Sequence, residues 1–164
     1  MTYRQLLARN GDFRRLWLGQ VVSEVGDWLN NIAVLALVLE LAGPDSQGRA
    51  VAVYAVARHL PLFVFGPVAG VVTDRVDRRR LMVAADVVRA ALALGFLLAP
   101  LWRSLPAIYL VGASLFSASA FFNAAKRAAL PNLVRETDEL LAANSLSAAT
   151  TAATIAAGSA VGGL

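Results

Sequence analysis

Gly66-Pro-Val-Ala-Gly70-Val-Val-Thr-Asp74-Arg75-Val-Asp77-Arg78-Arg79-Arg80-Leu81 is the stretch on which the reading of this chain turns. It begins apolar, becomes densely charged, and turns apolar again at Leu81. That order describes the end of one membrane helix, a tight charged turn, and the start of the next. Gly66 and Gly70 are four residues apart, so they share a helix face on which another helix can approach closely. Asp74 is suited to meet a helix N-terminus or an arginine at the membrane surface. Arg75, Arg78, Arg79 and Arg80 are placed to anchor the turn among anionic headgroups.

Working outward, apolar runs flank this turn on both sides. They cover about 16–41, 50–72, 81–101, 106–125 and 145–164. A helix rises about 1.5 Å per residue, so roughly 20 residues cross a hydrocarbon core of about 30 Å. The first four runs are long enough to span, and the fifth supplies most of a span. A β-barrel would show alternating segments of about ten residues instead. The joining segments, Gly43 to Gly48, Asp74 to Arg80, Pro100 to Pro106 and Pro131 to Asn144, carry turn chemistry. The last of these has room for a short interfacial helix.

Composition agrees with a bilayer protein. Of 164 residues, 58% are apolar and 16% charged, against about 25% charged in an ordinary soluble domain. Cysteine is absent and there is one histidine, which rules out disulfide frameworks and clustered thiolate or imidazole metal sites. No cofactor is expected. The net charge of +4 does not call for nucleic acid, because the basic residues follow topology. Eleven of the 15 lysines and arginines fall in the 1–15 tail and the turns after the second and fourth runs. The positive-inside rule puts those segments, and the N-terminus, in the cytoplasm. Residues 1–15 read as a basic cytoplasmic tail with no removable signal peptide.

Charges inside spans are expensive, so each one is informative. Gln20, Ser23, Glu24, Asp27 and Asn31 fall on one side of the first span at about 100° per residue. Such a stripe must face protein or water. It either walls a cavity, with Glu24 or Asp27 binding a proton or a cationic substrate, or makes a static contact between helices. Arg58, in the second span, is expected either to pair with Asp27 or to snorkel to the outer interface. Asp86 and Arg89 are three apart and form an expected ion pair. Pro61 and Pro67 suggest a kink, and His59 reads as a packing residue.

The central turn resembles the loop signature between spans two and three of the major facilitator superfamily. Gly70, Asp74, Arg75, Arg78 and Arg79 carry the match, and Asp77 stands where that signature usually has glycine. Phe13-Arg-Arg-Leu-Trp17, Gly26-Asp-Trp28, Leu60-Pro61, Phe121-Phe-Asn, Ala129-Leu-Pro-Asn-Leu-Val134 and Ala143-Asn-Ser-Leu146 resemble its macrolide and enterobactin efflux branch. Gly158, Gly162 and Gly163 resemble the glycine-rich motif of span five in proton-coupled exporters, with Ser159 where proline is usual. Ordinary small-residue packing is the simpler reading of those glycines.

The resemblance implies the N-terminal part of an all-α, twelve-helix transporter: four complete transmembrane helices and most of a fifth, with the C-terminal half missing. It implies secondary active efflux of a drug-like or siderophore-like molecule by alternating access, with proton antiport, at the plasma membrane. Asp74, Arg75, Arg78 and Arg79 would form a cytoplasmic gate latch. No enzymatic activity is expected. The alternative is a small helical membrane protein that does not transport and acts as a partner or regulator.

Overall fold

The computed structural model describes residues 2–98, 101, 103–134 and 136–162. Six α-helices account for nearly all of them: α1 (Tyr3–Arg9), α2 (Gly11–Ala42), α3 (Gln47–Arg75), α4 (Arg78–Phe96), α5 (Leu105–Leu133) and α6 (Thr137–Gly162). A short 3-10 turn at Pro44–Ser46 leads into α3, and no strand occurs among the described residues.

Among the described residues, four helical stretches are long and apolar enough to cross a membrane: Gly11–Ala42, Pro44–Arg75, Leu105–Leu133 and Thr137–Gly158. The expected third span is α4, which has 19 residues and opens on three arginines. With Asp86 and Arg89 also on board, α4 is the most polar of the long helices and is not among those four.

The helix ends differ from the sequence expectation in a consistent direction. The first long helix begins at Gly11, five residues before the apolar run, and Tyr3–Arg9 forms a short helix before it. Thr2 starts α1 with a capping box: its hydroxyl accepts from Gln5 N while Gln5 Oε1 accepts from Thr2 N. The expected interfacial helix between spans four and five does not form as a separate element. Instead α5 runs on to Leu133 and α6 opens at Thr137. Helical backbone satisfies its own hydrogen bonds, so it continues past the apolar run until a cap stops it. Pro61 and Pro67 both lie inside a continuous α3.

The chain divides into two compact units, with boundaries inside α2 after Ile32 and inside α5 after Ala128. Unit one holds residues 1–32 and 129–164. Its apolar core is Leu6, Phe13, Leu130, Ala142 and Ala143. Unit two holds residues 33–128. Val34, Val38, Ala50, Tyr54, Phe96, Ile108 and Leu115 form its core.

A polar seam between the first and last helices

In unit one, the stripe on α2 meets a second stripe on α6. Ser147, Thr150, Thr151 and Thr154 fall on one face of α6 at helical spacing, interrupting a run rich in alanine. The Trp17 indole N–H donates to Thr150 Oγ1 at 2.9 Å. Gln20, almost fully buried, donates from Nε2 to Ser147 O at 3.1 Å and to Glu24 Oε1 at 2.8 Å. The Thr151 hydroxyl also donates to Glu24 Oε1, at 2.8 Å.

Glu24 is therefore held by one oxygen. Its other oxygen, Oε2, is buried and has no hydrogen-bond partner among the described residues. A carboxylate oxygen left dry and unpaired carries a desolvation cost. Glu24 and Asp27 flank the middle of α2, the depth at which a charge costs most. Asp27 and Asn31 are half-buried on the same helix.

The seam closes at Gly158. A Cβ built there would lie 2.4 to 2.9 Å from three atoms of the Trp28 ring. Only a residue without a side chain fits against that indole. Gly66 and Gly70, read as the close-approach pair, behave differently: a Cβ on either meets nothing within 4 Å. Equal glycine spacing does not say which face finds a partner. Gly162 lies at the end of α6, and Gly163 lies outside the described residues, as does Arg135 of the basic turn.

At the opening of unit one, one side chain ends two helices. Asn10 Oδ1 accepts from Phe13 N at 2.9 Å, capping α2. Asn10 Nδ2 donates to Leu133 O at 2.5 Å, satisfying a last-turn carbonyl of α5. An asparagine directly before a helix was the readable signal.

In unit two, Arg58 is half-buried with its guanidinium Cζ 4.5 Å from the centre of the Phe116 ring, a cation–π contact. His59 stacks obliquely on the same ring at 6.3 Å. Arg89 is buried, pairs with Asp86 at 2.9 Å, and lies over Phe122 at 5.3 Å. At the charged turn, Asp77 caps α4 by accepting from Arg80 N at 2.8 Å. Asp74 lies within α3, which continues to Arg75, and the N-cap of α4 is Asp77. Arg78 Nη1 donates to Ala128 O at 2.9 Å, while Asp74, Arg75 and Arg79 are exposed.

The chain is similar over residues 7–164 to the family described as transmembrane secretion effector. It is 32% identical to macrolide efflux protein A of Streptococcus pyogenes over 127 residues, which cover 76% of this chain and 30% of that protein. It is 33% identical to BacE of Bacillus subtilis strain 168, named for bacilysin export, over 91% of this chain and 36% of that protein. A third relative is YfiS of the same organism, an uncharacterised transporter of the major facilitator type, 30% identical over 74% of this chain. The chain spans about a third of the length of these curated relatives. No solved structure matches it significantly.

Proposed function

The chain belongs to the transmembrane secretion effector family of the major facilitator superfamily, a multi-pass membrane family, and on that premise we propose that it is part of a proton-driven exporter of small molecules. In this reading it sits in the plasma membrane with its N-terminus in the cytoplasm, and it works by alternating access. The substrate is drug-like or siderophore-like, in keeping with relatives named for macrolide efflux and bacilysin export.

The observation that carries the reading is Glu24: a buried carboxylate oxygen without a donor, on a helix long and apolar enough to span. A proton arriving from outside neutralises it as substrate is released to that side, and loss of the proton to the cytoplasm restores the carboxylate and completes antiport. Asp27, one turn further along, is the second acid of the same wall. Arg58, half-buried on α3, is proposed as a further residue for proton or substrate binding. Asn31 extends the polar wall. Asp74, Arg75, Arg78 and Arg79 are proposed to latch the cytoplasmic gate.

The test is transport by the complete gene product in inside-out vesicles, with lipophilic cations and siderophores as substrates. Accumulation should follow the pH gradient and collapse when an ionophore exchanges potassium for protons. Asp27→Asn should lose gradient-driven accumulation as well. Accumulation that ignores the pH gradient would remove proton antiport from the account.

A further inference from the structure

We propose that Thr151 is the positioning residue through which α6 responds to a proton on Glu24; this rests on the reading of Glu24 as the proton carrier. Hydroxyls on membrane helices ordinarily turn back to the carbonyl four residues earlier. Thr73, Ser114, Ser117, Ser119, Thr150 and Thr154 all do so here, at 2.7 to 3.0 Å. Thr151 stands between two acceptors instead: Glu24 Oε1 at 2.8 Å and Ser147 O at 3.1 Å.

One hydroxyl has one proton to give. Thr150, its neighbour, donates to Leu146 O, and both hydroxyls also accept, Thr150 from Trp17 Nε1 and Thr151 from Gln20 Nε2 at 3.3 Å. The charge on Glu24 decides for Thr151. An ionised carboxylate is the stronger acceptor, since charge-assisted hydrogen bonds are about twice as strong as neutral ones. In that state Thr151 donates to Glu24 and fastens α6 to α2. A proton on Oε2 turns Oε1 into an ordinary carbonyl acceptor. The Thr151 hydroxyl then swings back to Ser147 O, and α6 keeps only the Gln20 and Trp17 contacts.

The charged surroundings of this switch within unit one are simple. Between Leu16 and Leu39, α2 carries only Glu24 and Asp27, and α6 has no charged residue from Leu140 to Gly158. Asp27 is thus the one other ionisable group that this pair of helices brings near Glu24. The hydrogen-bonding partners of Glu24 in the seam, Gln20 and Thr151, are both neutral. Within the proposal, the direction of the Thr151 hydroxyl follows the proton on Glu24.

The experiment uses the complete gene product in proteoliposomes, comparing Thr151→Val, Thr151→Ala and Thr151→Ser in the native and the Glu24→Gln backgrounds. Two rates are read: accumulation driven by a pH gradient, and substrate exchange at equal pH. Size-exclusion profiles establish that each variant is folded, and Thr151→Ala stands in should Thr151→Val fail that check. Thr151→Val should lower gradient-driven accumulation by about tenfold, with exchange unchanged within about twofold. Thr151→Ser should restore it. In the Glu24→Gln background, Thr151→Val should add no further loss, as expected of residues acting through one another.

Three results overturn the proposal. Accumulation by Thr151→Val equal to the native protein, while Glu24→Gln is inactive, removes Thr151 alone. A further loss of exchange on adding Thr151→Val to Glu24→Gln reduces Thr151 to packing. Normal gradient-driven accumulation in Glu24→Gln removes the proton-carrier reading itself, and the switch with it.

Discussion

The charges on α4 and α2 lie along apolar runs and are met in opposite ways. On α4, Arg89 and Asp86 meet at 2.9 Å within one turn, with Phe122 beneath the guanidinium. Each charge has its opposite at hand, so nothing in that arrangement calls for a proton. On α2, Glu24 is met in the seam by neutral donors only, and both of them serve the same oxygen. The second oxygen is left dry. The difference teaches that a charge within a span is not functional by its presence alone. A pair closed on itself is structural, whereas a carboxylate half-served by amide and hydroxyl groups keeps an oxygen open, which is where the proposed proton would bind.

The largest effect should come from Glu24. Glu24→Gln keeps the acceptor oxygen and removes the ionisable one. Gradient-driven accumulation should fall by more than about tenfold, measured in vesicles at matched protein content, because no proton can bind there. A smaller effect, on stability, should come from the far end of the same seam. Gly158→Ala forces a Cβ into Trp28 and should cost about 1–3 kcal/mol, read as thermal unfolding in detergent. Trp28→Leu in the same chain should recover most of that loss by opening the space.

The other side of the contrast predicts less. Asp86→Asn takes half the compensation from a buried arginine and should cost about 1–2 kcal/mol. The half-exposed position of Asp86 limits the loss. Replacing the pair together, Asp86→Leu with Arg89→Met, should leave both stability and gradient-driven transport near native. A transport defect in that double variant would blur the distinction between the two helices. Asp77→Ala, which removes only the cap of α4, should cost about 1 kcal/mol with transport retained.

Much of this was legible from residue spacing. Gln20, Glu24, Asp27 and Asn31 stood out because ionisable and amide groups are costly in a span, and their helical spacing put them on one side. Thr150 and Thr151 carried the same periodic signal on α6. They passed unread because a hydroxyl can satisfy itself on its own helix, so its presence demands no partner. Helix ends were less legible for a related reason: α2 begins at Gly11 and α6 at Thr137, both in polar sequence that periodicity assigns to loops. A cap decided the start of α2, where Asn10 accepts from Phe13 N, as Asp77 does for α4. Glycine spacing was least informative, since Gly66 with Gly70 and Gly158 look alike in sequence but only Gly158 has a neighbour within 4 Å.

The most direct measurement is an infrared difference spectrum of the membrane-reconstituted gene product between alkaline and acid pH, read at the carbonyl stretch of protonated carboxylic acids. One component of that band should be present in the native protein and in Asp27→Asn, and missing in Glu24→Gln. An identical band in Glu24→Gln would contradict the claim that Glu24 carries the proton.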